Sequence, residues 1–146
     1  MRFRTIPNSE AKALILAPLG RDAQIAGSLL SEAGIPSKTV KDFVAFCGCM
    51  EENIAFAVLT EEAVRSADLR PLSAWIQSQP SWSDFPFIIL THRGGGPEQN
   101  PSAGRLSDIL GNVSFIERPF HATTFLSVAR SALRGRRRQY EARIRI

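Results

Sequence analysis

The sequence predicts an α/β domain in which a five-stranded parallel sheet carries helices on both faces. Compact apolar runs alternate five times with segments whose apolar residues recur at helical spacing, and this alternation is typical of consecutive βαβ units. Right-handed crossovers leave few topologies for five such strands, and the doubly wound order 2-1-3-4-5 fits best. The 146 residues suffice for one such domain.

The first two strand–helix units are expected between residues 11 and 50. Residues 13–17 are an apolar run stopped by Pro18, the pattern of a strand buried on both faces. The helix that follows should begin near Asp22 and end at Gly34. Residues 37–40 form a more polar strand that suits a sheet edge, and a second helix should begin near Asp42. The first helix presents an apolar face made of Ile25, Ala26, Leu29, Leu30 and Ala33.

The most hydrophobic strand is expected at residues 54–60 and should be central. A third helix should follow over residues 69–76, and another buried strand over residues 85–91. Residues 92–104 contain four glycines and two prolines, which indicates a long mobile loop. Only a short fourth helix then fits before a short buried strand that begins at Val113 and must end at Pro119.

The two ends of the chain differ from the body. Residues 1–10 show no sustained period and are expected to be a disordered leader. Residues 11–134 form the predicted domain, and residues 135–146 are predicted to be an arginine-rich helical extension. Cys47 and Cys49 have no partners at zinc-finger spacing and are typical of a reducing cytoplasm. No apolar run approaches the length of a membrane span.

Three segments carry a family resemblance, namely residues 29–34, 87–91 and 115–120. The last, Phe-Ile-Glu-Arg-Pro-Phe, is similar to the aromatic-x-x-Lys-Pro-Phe segment of bacterial response-regulator receiver domains. The resemblance covers residues 13–133 and implies a flavodoxin-like (CheY-like) fold. It also implies a site at the carboxyl edge of the sheet, where receivers bind Mg²⁺ through carboxylates and accept a phosphoryl group on an aspartate.

The residues at that site depart from the family pattern. Ala17 and Pro18 stand where receivers carry an acidic pair, and Thr60 stands at the phosphoacceptor position. Arg118 replaces the lysine, while Thr91 and the aromatic Phe115 match. The resemblance therefore implies a pseudo-receiver of a two-component phosphorelay, a non-catalytic signalling module with no metal and no cofactor.

Two acids next to this site allow a second interpretation. Glu61, Glu62 and the loop residue His92 are expected to be solvated, and Arg118 to pair with Glu61 or Glu62. A register shift of one residue would instead place Glu61 at the acceptor position, where it would imitate a permanently charged state.

The last 17 residues hold seven arginines against one acid, Glu141, a net charge of +6, whereas residues 1–129 carry −2. An apolar stripe continues along this helix beyond what the body can cover, which predicts a homodimer through the helix or a junction with a following domain. The resemblance implies that the partner is a kinase domain, either downstream in a parent histidine kinase or in a separate protein. Nucleic-acid binding by the same arginines is the alternative, and a phosphoaccepting receiver with an atypical site comes third. The residues assigned to this interaction helix are Arg134, Arg136, Arg137, Arg138, Tyr140 and Ile144.

Overall fold

The computed structural model describes residues 11–50, 53–93 and 100–145, with side chains up to Arg143. The predicted leader, the glycines of residues 94–96 and the Ile144 side chain lie outside the described residues. The strands are β1 (Lys12–Leu16), β2 (Ser37–Val40), β3 (Ile54–Thr60), β4 (Phe87–Thr91) and β5 (Val113–Glu117). The helices are α1 (Asp22–Glu32), α2 (Phe43–Gly48), α3 (Glu61–Arg65), α4 (Arg70–Gln77), α5 (Pro101–Leu110) and α6 (Ala122–Arg145).

The five strands form one parallel sheet in the order β2-β1-β3-β4-β5, as the sequence predicts. All seven residues of β3 are buried, because helices cover both faces of a doubly wound sheet. One apolar layer joins the sheet to α1 and α6, around Phe56 and Phe125. The other joins the opposite face to α2, α3, α4 and α5, around Phe46 and Phe87. The predicted fold class is therefore confirmed.

Several helix ends follow from local chemistry. The Asp42 side chain accepts a hydrogen bond from the Ala45 amide at 2.8 Å and caps α2. Gly34 follows α1 with a φ of +77°, a left-handed conformation that glycine adopts without steric cost. Asn100 caps α5 in the same way, through the Ser102 amide at 3.1 Å, and Pro101 occupies the first helical turn.

The structure corrects four details of the predicted elements. The extra helix α3 begins directly after β3, where a solvated acidic turn was expected. The loop predicted over residues 92–104 ends earlier, because the Asn100 cap starts a ten-residue α5. β4 begins at Phe87 rather than at residue 85. β5 is an edge strand in which only Ile116 is buried, not the buried strand that was expected.

Helix α6 runs unbroken through Gly135, but it does not stand clear of the domain. Tyr140 was expected to extend beyond the domain, and this prediction is wrong, because Tyr140 is 4% exposed. The Tyr140 ring packs on Trp82 with centroids 5.1 Å apart. Trp82 belongs to the connection between α4 and β4, which therefore covers the second half of α6.

Arg136 lies at the centre of this contact and is only 3% exposed. Its guanidinium carbon lies 5.9 Å from the Trp82 ring centroid, 5.3 Å from that of Phe85 and 5.1 Å from that of Tyr140. Nη1 donates to the Ser83 hydroxyl at 2.7 Å. Burial lowers the pKa of Arg136, while Tyr140 and Asp84 act in the opposite direction. We call Arg136, Trp82, Phe85 and Tyr140 the arginine cage.

Gln139 ties the same helix to the backbone of the α4–β4 connection. Its Oε1 accepts from the Asp84 amide at 2.8 Å, and its Nε2 donates to the Asp84 carbonyl at 2.8 Å. Oε1 also accepts from Arg136 Nη1 at 2.6 Å. Because Gln139 bonds to both the amide and the carbonyl of Asp84, it fixes the position of α6 along this connection as well as the distance between them.

We expect Trp82→Ala to lower the free energy of unfolding by about 2–3 kcal/mol, because it removes the ring that packs against Arg136, Arg143 and Tyr140. Trp82→Phe keeps an aromatic ring and should cost less. Urea unfolding followed by circular dichroism measures both. Val44→Ala, at a side chain 83% exposed, is the control. Wild-type stability for Trp82→Ala would mean that α6 gains nothing from this contact.

Candidate functional site

The carboxyl edge of the sheet brings the predicted site positions together. Leu16 pairs with Leu59, Thr60 with Leu90, and Thr91 with Glu117, so the residues that end β1, β3, β4 and β5 share one edge. This is the edge at which open α/β sheets place their sites. Ala17 is buried and Pro18 is exposed in the connection to α1, and neither side chain carries a polar group.

The two threonines of the site differ in their contacts. Thr60 is 2% exposed, and its hydroxyl accepts a hydrogen bond from the Ala63 amide at 3.3 Å, which caps α3. Thr91 is fully buried, and its hydroxyl has no hydrogen-bond partner within the described part of the chain. Phe115 is half-buried against the apolar layer that contains Phe87. Thr60 ends β3 and Glu61 opens α3, and the alignment of Thr60 with the acceptor position stays a prediction.

Arg118 is held by three acceptors. Its Nη1 donates to Asp22 at 3.0 Å, its Nη2 to Glu62, and its Nε to the Thr91 carbonyl at 3.0 Å. The hydrogen bond to Glu62 raises the pKa of Arg118, and the bond to Asp22 adds to this against the effect of burial. The predicted pairing with Glu62 is present. Asp22 was not predicted as a partner, because 96 residues separate it from Arg118 and no local pattern links them.

Glu61 is buried, and the expectation of a solvated acid is wrong. It is 1% exposed, and its Oε2 accepts from Asn100 Nδ2 at 2.6 Å. Its Oε1 lies 2.7 Å from His92 Nδ1 and 3.8 Å from a nitrogen of Arg65. Burial opposes ionisation, but the hydrogen bonds from Asn100 and His92 outweigh it and hold the pKa of Glu61 below its ordinary value.

These contacts join three elements at the edge. Glu61 begins α3, His92 follows β4, and Asn100 caps α5, so one carboxylate connects all three. His92 was expected to be solvated, but its Nδ1 is engaged even though 53% of its side chain is exposed. Only the acidic pair Glu61-Glu62 after an apolar strand hinted at this cluster. The sequence held no indication of which distant residues would meet it.

The charged side chains described at this edge bind one another or neighbouring side chains of the domain. The cation at the edge, Arg118, is paired with two carboxylates, and the third carboxylate, Glu61, is hydrogen-bonded to two side chains. Within residues 11–50, 53–93 and 100–143 no group of three or more His, Cys, Asp or Glu side chains could hold a metal ion. The described helices include none long and apolar enough to cross a membrane.

The fold matches solved receiver structures. Full-length FixJ from B. japonicum aligns with a TM-score of 0.67 at 23% identity, over 87% of this chain and 59% of that one. CheY4 of Vibrio cholerae aligns with a TM-score of 0.65 at 18% identity, over 84% of this chain and 98% of that one. The chain has the receiver fold.

Other receiver structures align equally well. NtrX from Brucella abortus gives a TM-score of 0.71 at 22% identity, over 93% of this chain and 29% of that one. The chain thus spans little more than half of FixJ and under a third of NtrX. Comparison with protein-family models and with curated protein sequences gives no match.

The contacts of Arg118 change one expectation drawn from the sequence. An exposed ion pair would have made Arg118→Ala almost neutral, but this side chain is only 20% exposed. We expect Arg118→Ala to lower the free energy of unfolding by about 1–3 kcal/mol, since Asp22 and Glu62 lose their shared cation. Urea unfolding measures the change. The control is Arg70→Ala, which breaks the exposed Arg70–Asp68 pair and should leave the midpoint unchanged. Equal effects of the two substitutions would contradict the prediction.

The Glu61 cluster predicts a dependence of stability on pH. Because the pKa of Glu61 is lower in the folded chain, its ionised form stabilises the fold above the ordinary glutamate pKa of about 4.3, and this contribution is lost as the pH falls through the folded pKa. Glu61→Gln should therefore cost about 1–3 kcal/mol near neutral pH and progressively less toward pH 3.

Unfolding by urea at a series of pH values measures this difference. Glu32→Gln removes an exposed carboxylate from α1 and serves as the control for the loss of one negative charge. A Glu61→Gln difference that stays constant from pH 7 to pH 3 would show that ionisation of Glu61 contributes nothing.

Proposed function

We propose that this domain is a pseudo-receiver, a non-catalytic signalling module of a two-component phosphorelay that takes up no phosphoryl group itself. The observation that carries the proposal is Thr60. It ends β3, where the resemblance to receivers aligns it with the phosphoacceptor; it cannot form an aspartyl phosphate, and its hydroxyl already caps α3. Ala17 and Pro18, in place of the acidic pair, remove the metal-binding carboxylates as well.

The pairing of Arg118 supports the same conclusion. In receivers a lysine at this place neutralises charge on the phosphoryl group, an electrostatic role that needs a free cation. Here the guanidinium is bonded to Asp22, Glu62 and the Thr91 carbonyl. A cation that already faces two carboxylates is neutralised within the protein, so Arg118 serves the structure of the edge and not phosphoryl transfer.

The proposed partner is a kinase domain, either further along the same protein or in a separate one. FixJ and NtrX both extend well beyond the part that aligns with this chain, which supports a domain that works beside others. A parent histidine kinase would fit this role, with the present domain contributing no chemistry of its own.

Self-association through the last helix also stays a prediction. The receiver domain of NtrC4, which is similar in fold, forms a dimer, and this supports the prediction. The original basis for a dimer here has changed, because Tyr140 is covered by Trp82 and not by a second copy. Any dimer must therefore use the outer surface of α6 or another face.

The two alternatives have less support. The nucleic-acid alternative is weakened because Arg136 is buried in the arginine cage and is therefore not available to phosphates. A phosphoaccepting site at Glu61 would require a carboxylate that is 1% exposed and bonded to His92 and Asn100 to become available.

Incubation with acetyl phosphate and Mg²⁺ tests the proposed function. We expect the intact mass to stay unchanged, and beryllofluoride with Mg²⁺ to produce no NMR shifts at Thr60, because no carboxylate is present at the acceptor position. A receiver that retains its aspartate, treated in parallel, is the positive control. A stoichiometric phosphoprotein, or Mg²⁺-dependent shifts clustered at Thr60, would overturn the proposal.

A matched variant of the same chain sharpens the test. Thr60→Asp, combined with Ala17→Asp and Pro18→Asp, restores the missing carboxylates. Aspartate is as good an N-cap as threonine, so α3 should be kept. Mg²⁺-dependent shifts that appear only in this variant would locate the loss of function in these three positions.

A further inference from the structure

Helix α6 has an inner side that the domain uses completely. Five residues at helical spacing are buried on it, at exposures of 0 to 8%. They are Phe125, Ala129, Leu133, Arg136 and Tyr140. The inner side therefore explains the apolar stripe of the helix, and it leaves only the outer side for contacts with other molecules.

The outer side carries a row of arginines. Arg130, Arg134 and Arg138 are exposed and follow one another at intervals of four residues, so they lie on the same face of the helix. Among the ion pairs of the described residues, none involves these three side chains. Like charges at this spacing destabilise a helix. The row therefore weakens the isolated domain, and an anionic partner would relieve the repulsion.

A depression beside the row shows what else the partner must offer. It has a volume of about 310 Å³ and lies next to Arg130 and Arg134. Its lining is mixed, with Leu126 and Ala122 as the apolar residues and Thr123 and Ser127 as the polar ones. Two guanidinium groups beside Leu126 suit a ligand that combines carboxylates with an apolar side chain, since arginine binds carboxylates in a planar, bidentate manner.

We infer that the outer face of α6, with Arg130, Arg134 and Arg138, is a docking surface for an acidic amphipathic helix of a partner protein. Successive arginines rise by about 6 Å along the axis, and carboxylates four residues apart on a second helix have the same spacing. An apolar side chain of that helix would enter the depression at Leu126. The proposed docking surface uses no residue of the edge around Thr60, so the inference does not rest on the proposed function.

Nucleic acid fits this face less well. A row of three cations can neutralise only three phosphates, and a sugar–phosphate backbone offers nothing apolar to Leu126. Residues 1–129 also carry a net charge of −2. A nucleic acid that extends beyond the three arginines would therefore be repelled by the rest of the domain.

Two synthetic helical peptides of equal length test the inference. One carries glutamates at three positions four residues apart beside a leucine stripe, and the other carries lysines at those three positions. In NMR titrations of the full chain we expect the glutamate peptide to bind, with shifts confined to residues 122–138. The lysine peptide should not bind there. Failure of the glutamate peptide to shift α6 at millimolar concentration would overturn the inference.

Charge reversal supplies the specificity control. Arg130→Glu combined with Arg134→Glu should weaken glutamate-peptide binding by roughly tenfold or more, the effect of losing two ion pairs of modest strength, and should create binding of the lysine peptide. Arg105→Glu changes an exposed arginine of α5 and should leave both affinities within about twofold. Equal losses in the two variants would show that net charge alone is responsible and would contradict a docking surface.

A DNA duplex is titrated in the same way. If the duplex binds more tightly than the glutamate peptide, with log K falling against log salt at a slope of about −2.7 for three phosphates, the partner is nucleic acid and the inference is wrong. Circular dichroism of each variant checks that the exposed substitutions leave the fold intact.

Discussion

Burial of β3 on both faces is the constraint on which the rest of the structure depends. Every residue of Ile54–Thr60 is buried, so the strand can exist only with helices on each side of the sheet and a neighbour along each edge. That requirement places β1 and β4 beside it and directs the ends of all three strands to one edge. Thr60 ends this strand and caps α3, and Glu61, the first residue of α3, is buried as well.

A buried carboxylate in that position must find hydrogen-bond donors, because an unpaired buried charge would cost more than the fold can offset. Asn100 and His92 provide them, and in doing so they connect the start of α3 with the end of β4 and the start of α5. Arg118 has the matching role on the other side of the edge, where it holds Asp22 and Glu62. Within the described residues, Arg118, Asp22, Glu62 and Glu61 are thus each paired or hydrogen-bonded inside the domain. Such an edge can be rigid without a metal ion or a phosphoryl group to organise it.

Local sequence patterns were sufficient to predict the sheet, but they did not predict the side-chain clusters around Glu61 and Tyr140. Apolar runs bounded by proline and glycine located the strands, most clearly β1, β3 and β4, whose burial leaves a strong pattern. The rule of right-handed crossovers then predicted their order. Glu61 and Tyr140 were misjudged for one shared reason: the groups that cover them, Asn100 and Trp82, lie 39 and 58 residues away in sequence. Periodicity reports which face of an element is apolar, but it does not report which distant loop will cover a particular side chain. The α4–β4 connection, Ser-Trp-Ser-Asp-Phe, is typical of a turn in its sequence, but in the structure it packs against α6.

Arg136 shows that the net charge of a segment can be larger than the charge that it exposes to solvent. The guanidinium is planar and more weakly hydrated than an ammonium group. Burying it between aromatic rings therefore costs less free energy than burying a lysine there. Three ring faces, the Ser83 hydroxyl and Gln139 replace its water, and no carboxylate lies within ion-pair distance among the described residues. One of the seven arginines is therefore part of the core, and Arg143, which stacks on Trp82 at 5.7 Å, is drawn toward it. Because the cage fixes the rotation of α6 about its own axis, it also determines that Arg130, Arg134 and Arg138 point away from the domain.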